Sequence, residues 1–212
     1  MRRWCELRTY VNRDNYQKYL ETAKKLGIAF LGVVNPEKEV LEGVKGSGYP
    51  SLVCLKEIVP ETVSQLRAEL GCVAGDAICV VRTTKPELMR EAVGNARVDM
   101  LTTLHEKPIP PKFFGLARET CTHIEICVET LISGTKKDIR RIKNLYMDLG
   151  NAVRYKTPII ATTGADSPEK LRNPRDVASI LISFGVPTSS AVSAVSHYPL
   201  CLIRKITQVK GE

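Results

Sequence analysis

The chain of 212 residues is poor in aromatic side chains and histidine, has no paired cysteines and carries no long apolar run, and each shortage argues against a class of function. No apolar stretch approaches the roughly 20 residues that a membrane-spanning helix needs. Behind the basic residues of Met1-Arg2-Arg3-Trp4-Cys5-Glu6 there is no apolar core of about 7 to 15 residues, so no secretory signal is read there and a cytoplasmic location is expected. The 7 cysteines stand singly, at Cys5, Cys54, Cys72, Cys79, Cys121, Cys127 and Cys201, with no Cys-x-x-Cys spacing. That pattern argues against a zinc site or a disulfide framework. Several lie inside apolar runs such as Ala77-Ile78-Cys79-Val80-Val81, and all are expected as reduced core residues.

Enzymatic motifs are equally scarce. The 3 histidines, His105, His123 and His197, are not spaced as metal ligands, and no Gly-x-Ser-x-Gly elbow occurs. Cys121 and His123 stand close together by coincidence rather than as nucleophile and base. The run Gly43-Val44-Lys45-Gly46-Ser47-Gly48-Tyr49-Pro50 lacks the Gly-Lys-Ser or Gly-Lys-Thr ending of a phosphate loop and is read as a flexible connection. Aromatic residues make up 6% of the chain, and the basic segments hold no interleaved stacking platform for single-stranded bases.

What the chain does have is positive charge in one place. The formal net charge is +8. Through Gly134 there are 18 Lys and Arg against 17 Asp and Glu, whereas from Thr135 onward there are 13 against 6. A localised excess of this kind implies a polyanionic partner, and nucleic acid fits better than an acidic membrane because the basic stretch lacks aromatic anchors. Within it, Ile139, Ile142, Leu145, Tyr146, Leu149 and Val153 predict a helix from Thr135 to about Lys156 with those residues facing the core. Lys136, Arg140 and Lys143 then share another face, joined by Arg154 and Lys156 if the helix continues past Gly150. Such a row suits a phosphate backbone, with a solvated basic face as the other reading.

A second basic element follows. Pro158-Ile159-Ile160-Ala161-Thr162-Thr163-Gly164-Ala165 reads as a strand running into a turn at Gly164, and then two helix starts are expected, at Ser167-Pro168 and at Asn173-Pro174. Asp176 suits the positive end of the second helix. Lys170, Arg172 and Arg175 stand around these starts, where free N–H groups attract anions, so the loop is chemically ready to hold phosphate. Gly164, Asn173 and Asp176 are assigned structural roles. Arg82 and Lys85, at the end of the fourth strand, are further candidates.

Elsewhere the chain repeats a short β-branched strand followed by a helix. Strands are predicted near Trp4 to Thr9, Ile28 to Val34, Ser51 to Val59, Ala77 to Thr83, Asp99 to Leu104, His123 to Val128 and Pro158 to Thr162. Helices carry Tyr16, Tyr19, Leu20, Ala23 and Leu26, closed by Gly27, and Val63, Leu66 and Leu70, closed by Gly71. Alternation of this kind predicts one α/β domain over 1–212 with parallel strands and outer helices, as a closed barrel or an open doubly wound sheet. Carboxylates Glu6, Asp99 and Glu125 lie in or beside strands. A barrel interior holding them paired with arginine or backbone is expected in preference to a metal site.

The spaced elements Thr162-Thr163-Gly164-Ala165, Leu171-Arg172-Asn173-Pro174-Arg175-Asp176, Phe184-Gly185, Ala194-Val195-Ser196 and Pro199-Leu200 together resemble the carboxyl-terminal signature of the barrel-shaped ribonuclease P protein subunit, RNase P protein component 3 of archaea. Thr162-Thr163 stands where that family usually has two serines. The resemblance implies a degenerate TIM-like barrel and a role in removing the 5′ leader from precursor tRNA. It further implies RNase P RNA as partner, precursor tRNA within the complex, and a small protein subunit of RNA-recognition-like α/β fold. Catalysis and Mg²⁺ would belong to the RNA, with no cofactor on the protein itself and the isolated chain inactive. A stand-alone metal-dependent phosphoesterase or amidohydrolase-like barrel is the alternative, because barrels of this shape resemble such enzymes.

Overall fold

A computed structural model describes residues 3–40, 50–133 and 138–208. Seven strands pair in parallel and in sequence order: β1 (Trp4–Thr9), β2 (Ile28–Val34), β3 (Ser51–Ile58), β4 (Ala77–Arg82), β5 (Met100–Thr102), β6 (His123–Cys127) and β7 (Ile159–Thr162). Helices α1 (Tyr16–Lys25), α2 (Val63–Gly71), α3 (Pro86–Val93), α4 (Pro111–Thr120), α5 (Glu129–Ser133) and α6 (Asp138–Tyr155) lie between them, and α7 (Pro174–Ser183), α8 (Thr188–Ala194) and α9 (His197–Gln208) follow β7. The strands agree with expectation to within two residues at each end. Only the fifth is markedly short, because Leu104 and His105 take left-handed φ values of 45° and 58° that a strand cannot continue through. α2 runs through Gly71 instead of ending before it, and its capping residue is Cys72.

The sheet curls until β7 meets β1. Thr9 bridges to Ala165, Tyr10 N donates to Ala165 O at 3.1 Å, and Thr163 N donates to Glu6 Oε2 at 2.9 Å. At the other end of β1, Cys5 N donates to Val195 O at 3.0 Å, so the turn between α8 and α9 stands where an eighth strand would bond. The outcome is a TIM-like barrel with seven strands.

Alternation sorts the strand residues into two apolar layers. Leu7, Leu55, Ile78, Val80, Met100 and Ile160 fill the interior, while Val81, Leu101, Ile124, Ile126 and Ala161 face the helices. Gly32 lets β1 and β3 close in, since a Cβ there would stand 2.5 Å from Leu7 O. α9 plugs the amino-terminal end of the barrel with Leu202, Ile203 and Ile206, and Lys205 Nζ on α9 donates to Asp99 Oδ1 at 2.8 Å. Each fully buried side chain of this size contributes about 1.5–3 kcal/mol.

Candidate nucleic-acid interface

Barrels of this architecture keep their active sites at the carboxyl ends of the strands. Here that mouth is lined by Arg8, Glu57, Arg82, Thr102, Glu125 and Thr162, one from each of six strands. Arg8 is fully buried. Its Nε and Nη2 donate to Glu125 Oε1 and Oε2 at 2.6 and 2.8 Å, and its Nη1 donates to Glu57 Oε1 at 2.7 Å and to Tyr10 OH at 3.1 Å. Thr162 Oγ1 adds a donor to Glu125 at 2.8 Å. Burial acts to lower the pKa of the guanidinium, but Glu125 and Glu57 outweigh it and hold Arg8 well above its ordinary value. Burial likewise acts to raise Glu125, and Arg8 overrides it, keeping the carboxylate ionised.

The other two strand acids are engaged as well. Glu6 accepts from Arg8 N and Thr163 N, yet burial pushes its carboxyl up to about 7. Asp99 accepts from Cys79 N and from Lys205. All three carboxylates are therefore paired with arginine, lysine or backbone, and Arg8 occupies the centre of the mouth. Among the described residues, no group of three or more His, Cys, Asp and Glu is arranged to hold a metal ion. Burial also pushes the thiols of Cys5, Cys79 and Cys127 up to about 12, far from nucleophilic use. The expectation of a wholly buried set of cysteines is corrected at Cys72, Cys121 and Cys201, which are exposed, and at Cys54, which is half-buried; none of the four is in a disulfide.

The phosphate-ready loop has the second helix start but not the first. Asn173 Oδ1 accepts from Arg175 N at 2.9 Å, Pro174 opens α7, and Asp176 lies in its first turn. Pro168–Lys170 is a single 3₁₀ turn, and Ser167 makes no side-chain cap, because the chain leaves the helical region at Leu171 with ψ 141°. Gly164 has φ 63°, and a Cβ there would meet Cys127 Sγ at 2.6 Å, so only glycine fits.

The cations of this loop differ in what they hold. Lys170 is tied to Asp166 at 2.6 Å, and Glu169 is tied to Lys18 of α1. Arg172, half-buried, braces the loop by donating to Glu169 O at 2.7 Å and Leu171 O at 3.0 Å. Arg175 is exposed, with its guanidinium 5.7 Å from the centre of the Trp4 ring. Of the second-line candidates, Arg82 sits half-buried in the mouth, 3.9 Å from Glu57, and Lys85 is tied to Glu61 at 3.0 Å.

α6 continues past Gly150, so Arg140, Lys143 and Arg154 share one exposed row, while Lys156 lies just beyond the helix with φ 53°. Lys136 and the run 43–49 lie outside the described residues. The core-facing side of α6 is rotated from the expected one. Leu145 and Leu149 are buried as predicted, but Ile139 and Tyr146 are 70% and 62% exposed and Val153 is exposed too. Their places are taken by Asn144, Asp148 and Ala152. Asn144 Nδ2 donates to His105 O at 2.8 Å, and Asp148 lies 3.0 Å from His105 Nδ1 and accepts from Ile109 N at 2.8 Å. This buried polar seam fastens α6 to the loop after β5. Apolar periodicity is blind to it.

The outer surface thus carries a basic row beside an apolar strip. Ile139, Tyr146 and Val153 recur every seven residues along α6, and the Tyr146 ring stands 6.3 Å from Phe184 at the end of α7.

Comparisons with known proteins agree with this architecture. RNase P protein component 3 of Methanococcoides burtonii is 27% identical over 209 residues, covering 91% of this chain and 83% of that protein. Among solved structures, a chain of archaeal ribonuclease P with mature tRNA superposes with a TM-score of 0.81 at 16% identity, over 97% of this chain and 93% of that one. A Xaa-Pro dipeptidase with bound methionine superposes with a TM-score of 0.67 at 11% identity, over 97% and 76%. At such identities the two superpositions speak for the fold alone. The model of the RNase P subunit p30 family matches residues 57–210, which take in β4 to β7, the capped loop and α6 to α9, and the chain belongs to that family.

Proposed function

We propose that this protein, as a ribonuclease P subunit in tRNA processing, binds and stabilises the catalytic RNA and leaves cleavage of the 5′ leader to that RNA. The observation that carries the reading is the match of residues 57–210 to the subunit family. The mouth supports the second half of it: the carboxylates that an enzyme of this shape would offer to a metal are instead held by Arg8 and by backbone N–H groups.

Arg140, Lys143 and Arg154 on α6, with Lys156 and Arg175, are exposed cations on a rigid scaffold. Each phosphate they neutralise releases counterions and lowers the cost of bringing RNA segments together. Contact is to backbone and shape, not to bases. Arg172 and Lys170 act mainly by holding the loop that presents Arg175. The chain itself needs no cofactor in this reading, and Mg²⁺ serves the RNA. The strip of Ile139, Tyr146 and Val153 beside Phe184 is the surface offered to the small protein subunit, since exposed apolar patches of this kind mark protein contacts.

Isolation of the tagged protein from its own cells tests the assignment. An RNA of several hundred nucleotides and precursor tRNA should accompany it. A bound divalent metal without RNA, with turnover of generic phosphoesters that depends on Glu6, Asp99 or the histidines, would support the alternative hydrolase.

A further inference from the structure

On the side of the barrel closed by α9, a cavity of about 890 Å³ opens between α8 and α9, and it includes none of the cations assigned above. Its polar lining comes from Arg3 before β1, Thr188, Ser189 and Ser193 of α8, His197 and Arg204 of α9, and Ser196 between the two helices, whose hydroxyl is already spent on Val192 O at 2.6 Å. Among the described residues, no acidic side chain lines it. Among the described residues, neither Arg3 nor Arg204 enters an ion pair, whereas Lys18, Lys85, Lys170 and Lys205 are each tied to a carboxylate. Two uncompensated guanidinium groups beside three hydroxyls form a donor-rich concavity for oxyanions. Trp4, the next residue after Arg3, carries Arg175 above its ring, which brings the groove's edge within one residue of the loop cation.

We propose that this groove binds the sugar–phosphate backbone of RNA. The proposal rests on the reading of the chain as a ribonuclease P subunit and adds to it a contact at the amino-terminal end of the barrel. The arginines take phosphate oxygens, and the hydroxyls of Thr188, Ser189 and Ser193 take phosphate or ribose oxygens. With no Phe, Tyr or Trp among the described residues of the lining, the groove holds backbone without stacking bases.

The test is RNA binding by the full chain, titrated against salt with the RNA of its own ribonuclease P, for wild type, Arg3→Ala/Arg204→Ala and Thr188→Val/Ser193→Ala. Removal of both arginines should lower the slope of log Kd against log salt by about two and weaken binding at least tenfold near physiological salt. Removal of the hydroxyls should weaken binding with the slope unchanged, because neutral donors release no counterions. All of these residues except Ser193, which is half-buried, are exposed, so melting temperatures should stay at the wild-type value. Wild-type binding with both variants indistinguishable from it would overturn the groove and leave the subunit reading intact. Failure of the wild type to bind that RNA would overturn both. Unchanged RNA binding by the arginine variant, with loss only of assembly with other protein subunits, would assign the groove to an acidic protein and overturn the proposal.

Discussion

Arg8 and Glu125 meet in a two-point ion pair inside the barrel, Nε to Oε1 at 2.6 Å and Nη2 to Oε2 at 2.8 Å, with both side chains essentially inaccessible to solvent. The third guanidinium nitrogen reaches Glu57 on the far wall. One cation from β1 thereby holds β3 and β6 together at the end of the barrel where enzymes of this shape carry out their chemistry. Arg8→Met should cost about 3–5 kcal/mol in chemical denaturation, because Glu125 and Glu57 are left buried without a counter-charge. Adding Glu125→Gln to that variant should restore part of the loss. A single variant as stable as wild type would show that the pair does not hold the mouth.

Stability should fall as the pH rises through the range between the unfolded and folded titrations of Glu6. Its carboxyl is raised from 4.5 to about 7 by burial, so between those values the unfolded chain gives up a proton that the native chain keeps. The loss amounts to about 3 kcal/mol and is complete above pH 7. Glu125 runs the other way: its lowered value contributes stability above about 4.5, which is lost on acidification below that. Melting curves from pH 5 to 8 on wild type and Glu6→Gln check this. The wild type should decline more steeply, and parallel curves would contradict the assignment.

The basic row on α6 is exposed and makes a separable prediction. Arg140→Ala/Lys143→Ala/Arg154→Ala should keep the melting temperature and lower the salt slope of RNA binding by about two to three. Arg172→Ala should behave differently. Its side chain braces Glu169 O and Leu171 O, so it should lower stability by about 1 kcal/mol as well as weaken binding. A triple variant with an unaltered slope would remove α6 from the interface.

Tyr146→Glu places a charge in the middle of the apolar strip without touching the core. Affinity for the small protein subunit should drop at least tenfold, while RNA binding by the chain alone and its melting temperature hold. Calorimetry on the two proteins decides it, and unchanged affinity would send the partner to another surface.

The strands were legible because β-branched runs bounded by Gly, Pro and Asn admit few other readings, and Asn173-Pro174 marked a helix start that the fold uses. Apolar spacing points to the wrong side of α6 because Asn144 and Asp148 are buried by their bonds to the loop after β5, leaving Ile139 and Tyr146 outside. That loop reaches them through left-handed Leu104 and His105, a conformation no periodicity encodes. Paired acids in the interior were expected, yet Arg8 as their partner was not singled out, because the irregular pairing between Glu6 and Thr9 breaks simple alternation along β1. A signal was present nonetheless: Glu57, Arg82, Thr102 and Thr162 each end an inward-facing apolar series, and polar residues at that height across a barrel, Glu125 among them, belong to one layer. Arg3 and Arg204 are 201 positions apart in the sequence and come together only because α9 folds back beneath the strands.

Reconstitution separates the protein's part from the RNA's: leader removal from precursor tRNA, measured with the protein alone, with the RNA and remaining subunits, and with all components together. No cleavage is expected from the protein alone, and a clear stimulation when it joins the others, lost progressively as salt rises. Cleavage by the purified protein in the absence of the RNA, abolished by substitution of Glu6, Asp99 or a histidine, would contradict it.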